Sequence, residues 1–260
     1  MPGQIRTERD GPVGRIVFDH PDRKNAITAD MWREIPVAAR DLAADDAIRV
    51  IVLRGAGDQA FVSGADISEF EERRTPDNAR HYEEANRLAF EALLNLPKPV
   101  IAAIHGFCFG GGVALALTAD LRYAAEDAVF AIPAARLGLG YPPHGLASLV
   151  SVVGPSVAKE ILFTARRLHA PEALAKGLLN AVVPKAELDS TIADVAGTIA
   201  ANAPLTLRSV KLVVRELSKD AGARDAGAIA ASVRACFDSE DYREGVRAFL
   251  EKRPPAFRGR

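Results

Sequence analysis

The sequence predicts an α/β fold, a mixed sheet core followed by a helical tail. Three observations carry that prediction. Short runs rich in Val and Ile alternate with longer stretches at helical spacing, those runs are bounded by Gly, Pro or Asp, and beyond about Gly154 the β-like runs all but cease. Such alternation implies parallel strands joined by right-handed crossovers.

Arg15–Phe18, Val50–Arg54 and Val100–Ile104 read as strands, and Leu121–Ala124 and Ala128–Ile132 as two more. Between them Thr28 is placed to cap a helix running towards Leu42, with Pro36 as a potential kink, and Asp77 to Leu94 has helical spacing. The tail reads as helices over Ser156–Ala165, Pro171–Lys176, Glu187–Ala201, Thr206–Leu217 and Ala226–Phe237, with one β-like run at Ala181–Val183. Asp220–Ala231, rich in Ala and Gly, reads as a loop and helix start.

A chain of 260 residues with nearly half of them apolar has material for one large core. Net charge is −1 with acids and bases interspersed, which argues against electrostatically driven nucleic-acid binding. Cys108 and Cys236 are too few and too far apart for a disulfide framework, and buried, reduced thiols are expected. No apolar run reaches the roughly 18 residues of a membrane span, and residues 1–10 are polar without a signal core. The expectation is a cytoplasmic enzyme without a membrane partner. His20, His81, His105 and His169 have no metal-ligand spacing, so no metal site is expected, and Asp120 reads as a structural partner.

The most informative segment runs from Ile101 to Leu121: a strand ending near His105, then Gly110, Gly111 and Gly112, then an apolar helix. Three glycines together mark a place where chain or ligand comes very close. Amides opening a helix have no intrahelical acceptor and can hold an anion; a tight connection without a ligand fits the glycines equally well. No Lys-Ser/Thr follows them, and Gly138-x-Gly140 runs into Tyr-Pro-Pro, so neither nucleotide-loop pattern is present. A second segment, Ala60-Phe-Val-Ser-Gly-Ala-Asp-Ile67, follows the strand at Val50–Arg54. Its Gly64 can present the amide of Ala65, and Asp66 can act as a cap.

Together the two segments resemble the enoyl-CoA hydratase/isomerase (crotonase) family. Phe61 to Ile67 resembles its first oxyanion segment, and Pro99-Val-Ile-Ala-Ala-Ile-His-Gly with the glycines and Ala119-Asp-Leu resembles its signature. Order and spacing match from about Ile16 to residues 249–253. The resemblance implies a crotonase-like spiral of ββα units over residues 1–200 and a C-terminal helical trimerisation region over 201–260. It implies a homotrimer or a dimer of trimers. It implies an acyl-CoA thioester as ligand, so that coenzyme A is part of the substrate and no separate cofactor is needed. The amides of Ala65 and Gly111 match the two oxyanion-hole donors. Asp66 and Ile67 fall near the adenine, and Lys24 to Ala26 near the pantetheine and phosphates. Ser63 and Gly110 flank the donors, and Phe249 and Lys252 match C-terminal positions that reach the coenzyme.

Two departures stand out. Where hydratases of the family carry one glutamate, this chain has Ala114; where the other follows a proline, it has Phe130-Ala-Ile-Pro-Ala134. General acid–base groups are commonly worth about 10²–10⁴ each, so ordinary water addition should be badly impaired. Arg136, Tyr141 and His144 remain near the expected pocket, with Glu69, Glu71 and Glu72 opposite. Leu137-Gly-Leu-Gly-Tyr141, with Ala203-Pro-Leu and the segments Asp238 to Gly245 and Ala248 to Arg253, resembles the methylmalonyl-CoA decarboxylase branch. There a tyrosine contacts the departing carboxylate, although that branch commonly keeps a glutamate where Ala114 stands. Decarboxylation needs no base to remove a proton, and His144 or water could protonate the resulting enolate. The readings carried forward are a lyase, hydrolase or isomerase with relocated acid–base groups, a decarboxylase using Tyr141, a non-catalytic acyl-CoA carrier or sensor, and a residual hydratase.

Overall fold

A computed structural model describes residues 2–66, 68–69, 75–141 and 143–260, with Pro76, Asp77, Ala79 and His144 described by their backbone alone. Strands β1 (Gln4–Asp10), β2 (Val13–Asp19), β3 (Val50–Gly55), β5 (Val100–Ile104), β7 (Leu121–Ala125) and β10 (Ala181–Val183) form one sheet in that order. Strands β4 (Ala60–Val62), β6 (Phe107–Phe109), β8 (Val129–Ala131) and β9 (Leu168–His169) form a second. Among the described strands only the β1–β2 and β8–β9 pairings are antiparallel. Each pass of the chain places one strand in the first sheet and the next in the second: β3 then β4, β5 then β6, β7 then β8. The ββα spiral is therefore present.

Every residue of β3 except Arg54 is buried, because both faces of its sheet are covered. Ile51 and Leu53 point into the main core with Trp32, Ile35 and Leu42 of helix α1 (Ala29–Ala44) and Ala89 and Leu93 of α2 (Pro76–Leu94). Val50 and Val52 point the other way, onto Leu188, Ile192, Ala196 and Ala200 of α6 (Leu188–Ala201). Thr28 caps α1 by accepting from the Met31 amide, and Thr75 caps α2 through the Asn78 amide. Helix α1 continues through Pro36, so the proline does not end it. Helix α5 (Ala170–Ala175) lies between β9 and β10, and the tail continues as α7 (Pro204–Leu217), α8 (Ala226–Asp238) and α9 (Glu240–Glu251).

Several elements were not expected. β1 is a polar edge strand, so it lacks an apolar signal; Gly11-Pro12 turns it into β2, with Gly11 at φ 55°. β4, β6 and β9 are two or three residues long, too short for a period to register. Helix α4 (Pro143–Thr164) begins well before the expected Ser156 and is broken at Gly154, whose φ 75° and ψ 165° are non-helical and open to glycine. Across that break Gly145–Thr164 is long and apolar enough by composition to cross a bilayer, which no continuous apolar run in the sequence signals. The break leaves two helices, each short of the ~20 residues a span requires. Cys108 is buried, and burial pushes its thiol up; Cys236 is half-buried rather than buried.

Candidate active site

The two glycine-bearing segments meet where β4 and β6 end. β4 and β6 run parallel, so Ser63 and Gly110 leave the second sheet side by side. The approach is very close: a Cβ on Gly112 would lie 2.2 Å from the Val62 carbonyl oxygen, and one on Gly64 would lie 3.4 Å from that of Phe109. Gly110 holds φ 50° and ψ −112° and donates its amide to Ala131 O at 2.8 Å. The chain then enters the short helix α3 (Gly111–Ala116). Ala65 forms a parallel bridge with Ile27: Ile27 donates to Gly64 O at 2.8 Å, and the Asp66 amide donates to Ile27 O at 2.9 Å. Among the described residues, the amides of Ala65 and Gly111 donate to no acceptor. Both residues are half-buried, and unpaired amides at such a position are uncommon.

A third loop, residues 20–27, lies against them. Ser63 donates its amide to Lys24 O at 3.1 Å and its hydroxyl to Arg23 O at 3.1 Å. Lys24 and Asn25 both take left-handed backbone angles, φ 52° and 56°. Asn25 holds that shape from inside: its amide group donates to Ala56 O and Ala60 O at 2.9 and 2.7 Å, and its Oδ1 accepts from the His20 amide at 3.0 Å. His20 Nδ1 is hydrogen-bonded to Ala26 O at 3.0 Å. Lys24 Nζ sits over the Phe107 ring, 4.4 Å from its centroid. Sequence reasoning passed over Asn25; its signal was an Asn, the non-glycine residue most tolerant of left-handed angles, beside a proposed binding lysine.

Trp32 was also missed. Its Cζ2 would lie 3.5 Å from a Cβ on Gly111. The indole is buried, donates Nε1–H to Tyr82 Oη at 3.2 Å and packs on Phe90. It packs against Gly111 on the side where a Cβ would project.

The remaining expected residues divide. Burial works against the charge on Asp66, but the Ser68 hydroxyl and amide, at 2.7 and 3.0 Å, overcome it and hold the carboxyl below its usual range. Asp66 thus acts as a cap. Glu69 accepts from the Ala29 amide at 2.8 Å and is engaged at the start of α1. Ala114 is half-buried and Ala134 is buried, so methyl groups fill both glutamate positions. Arg136 is exposed. Tyr141 packs on the core, its ring lies within 3.0 Å of a Cβ on Gly145, and burial pushes its phenol up, so it stays protonated at neutral pH. Its hydroxyl has no partner among the described residues. Ile67, Glu71 and Glu72 lie outside the described residues, as does the side chain of His144. Phe249 is 82% exposed on α9, and Lys252 ends that helix at φ 55°. No hydrogen bond, ion pair or ring contact among the described residues joins either to the cluster. Also among the described residues, no group of three His, Cys, Asp or Glu is placed to hold a metal ion. Asp120 accepts from the Val100 amide and Lys211, as a structural partner does.

The family model for enoyl-CoA hydratase/isomerase matches residues 8–260. The chain belongs to the enoyl-CoA hydratase/isomerase family. A member from Clostridium acetobutylicum, short-chain-enoyl-CoA hydratase, is 36% identical over 95% of this chain and 94% of its own length. Carnitinyl-CoA dehydratase of Escherichia coli is 33% identical over the full length of both. Among solved structures of the family, an enoyl-CoA hydratase/carnithine racemase from Magnetospirillum magneticum superposes with TM-score 0.94 at 37% identity, covering 98% of this chain and 96% of that one. The Bacillus anthracis enoyl-CoA hydratase gives 0.91 at 30%, covering 99% and 100%. Family membership makes this chain an acyl-CoA enzyme by descent and fixes the crotonase fold.

Proposed function

We propose that this chain binds an acyl-CoA thioester with its carbonyl oxygen between the amides of Ala65 and Gly111 and stabilises the enolate formed there. The observation that carries the proposal is the pair of amides without internal acceptors on two segments held in contact through Gly112 and Val62. Charge that develops on the oxygen during proton loss, nucleophile addition or loss of carbon dioxide meets fixed donors, and losing one such donor typically costs on the order of 10²–10³ in rate. Coenzyme A enters as part of the substrate, with Lys24, Ala26, Ser63, Asp66 and Gly110 along its path.

The acid–base half of a hydratase has no counterpart at Ala114 and Ala134, so the reaction is a lyase or isomerase step that does without that pair. A panel of enoyl-, malonyl- and methylmalonyl-CoA thioesters tests this. Turnover of at least one is expected. Binding of all with turnover of none makes the chain an acyl-CoA carrier or sensor, and failure to bind any refutes the site.

One observation favours decarboxylation as the second reading. The Tyr141 hydroxyl is protonated and without a partner among the described residues, which suits it to hold a substrate carboxylate. Tyr141→Phe should then lower methylmalonyl-CoA decarboxylation at least tenfold while leaving thioester binding within about threefold. An unchanged rate removes that role.

We also propose self-association through the helical tail. Support comes from the groove of about 530 Å³ among Phe237, Tyr242, Val246, Phe249, Leu250 and Phe257. A trimer or hexamer is expected in sedimentation velocity, and a monomer at micromolar concentration rejects it.

A further inference from the structure

At the opposite edge of the six-stranded sheet, where β3 and β5 begin rather than end, lies a cleft of about 300 Å³. That is room for about ten waters. Five cationic side chains line it, Arg49, Lys98, Arg208, Arg258 and Arg260, against one carboxylate, Asp46. By contrast Arg6, Arg9, Arg87, Arg166 and Arg253 each meet one or two carboxylates. In the cleft only Arg260 does, with Glu240 at 3.3 Å.

The other four divide by how they are used. Arg49 donates to Ala200 O at 3.2 Å and Phe257 O at 2.5 Å, which ties the cleft wall to the C-terminal segment. Lys98 is only 2% exposed, and its ammonium donates to Leu42 O and Asp45 O at 2.8 and 2.6 Å. An ammonium has three N–H donors, so one remains. Burial first, and then the charge of Arg208, hold Lys98 below the usual lysine range, with Asp45 and Asp46 opposing. Arg208 is therefore close enough to repel it. The guanidinium groups of Arg208 and Arg258 have no acceptor among the described residues. The main-chain oxygen of Arg260 accepts from the amides of Glu240 and Asp241, at 2.8 and 3.3 Å, which fixes the last residue against the start of α9.

A buried ammonium and two unengaged planar forks around one cavity suit a tetrahedral oxyanion, which has oxygens enough to meet two forks and an ammonium at once, where a carboxylate has two. We propose that this cleft binds a small phosphate-bearing anion, held by the Arg208 and Arg258 guanidinium groups above the Lys98 ammonium. The site is separate from the loops at Lys24, Ala65 and Gly111.

Inorganic pyrophosphate titrated calorimetrically into the full chain at low salt tests the proposal, with ADP as a second arm. Saturable binding is expected, weakened at least tenfold by Arg208→Gln and by Arg258→Gln. Lys24→Gln, at the acyl-CoA end, should leave it unchanged. Both arginines are exposed, so the variants should fold. Without anion, Arg208→Gln should melt at or above the parent temperature because Lys98 loses a like charge; pyrophosphate should raise the melting point of the parent but not of this variant. Tighter binding of ADP than of pyrophosphate identifies a nucleotide diphosphate as the ligand, and the reverse identifies a free phosphate species. Absence of saturable binding by either overturns the proposal. So does binding that Lys24→Gln weakens and the two arginine variants do not.

Discussion

Gly112→Ala puts the central geometry to a direct test. A Cβ at residue 112 would lie 2.2 Å from the Val62 carbonyl oxygen and 3.0 Å from both the carbonyl carbon and Cβ of Val62, whereas ordinary contact begins at 3.4 Å. The two segments must part by about 1.2 Å. The obstacle is a strand backbone paired to β6, so no side-chain rotation relieves it. Overpacking of this kind costs about 1–3 kcal/mol, several degrees of melting temperature in a chain of this size. The displacement also opens the gap between residues 65 and 111. A 1 Å misplacement can cost on the order of 10²-fold in rate, comparable with losing one donor. The assay is kcat/KM for the best thioester of the panel beside thermal unfolding. Gly111→Ala is the control: its Cβ would sit 3.5 Å from Trp32 Cζ2, an ordinary contact, and the amide is kept. It should stay within about 1 kcal/mol of the parent and within a few-fold in rate. A Gly112→Ala protein that melts and turns over like the parent refutes the reasoning, as does a Gly111→Ala protein just as damaged.

Three further outcomes are expected. Restoring glutamate at both Ala114 and Ala134 should raise crotonyl-CoA hydration at least 10²-fold, the low end for one acid–base group; no gain means the scaffold does not place a hydratase pair. Asn25→Ala strands the His20 amide and the carbonyls of Ala56 and Ala60, and should cost about 3 kcal/mol in urea unfolding, given about 1–3 kcal/mol per unsatisfied buried group. A change under 1 kcal/mol would show that the loop does not depend on it. Glu244 is hydrogen-bonded by Arg253, Arg247 and the Ala256 amide, which hold its carboxyl far below the usual range. A depressed folded-state pKa gives stability that is present above the unfolded value of about 4.3 and is lost as pH falls towards the folded value. Glu244→Gln should therefore melt lower than the parent at pH 7, with the difference shrinking below pH 4; a constant difference contradicts the assignment.

Much of the fold could be read from the chain because the parallel strands are covered on both faces. Val50–Leu53 and Val100–Ile104 are continuous apolar runs for that reason, and Thr28 announced its helix by capping chemistry. The three glycines identified a close approach before any partner was known. Only the family resemblance paired that turn with residues 61–67; spacing alone could not, because Val62 and Gly112 are fifty residues apart and meet only where β4 and β6 lie side by side, each strand too short to show a period. Trp32 and Asn25 looked like a core aromatic and a turn residue, and only packing placed one against Gly111 and the other under the Lys24 loop. The cationic cleft was invisible for the same reason, since residues 49, 98, 208 and 258 converge through tertiary folding alone. Local sequence fixes periodicity, caps and backbone freedom; which unpaired donors and unpaired charges share a space is decided by topology.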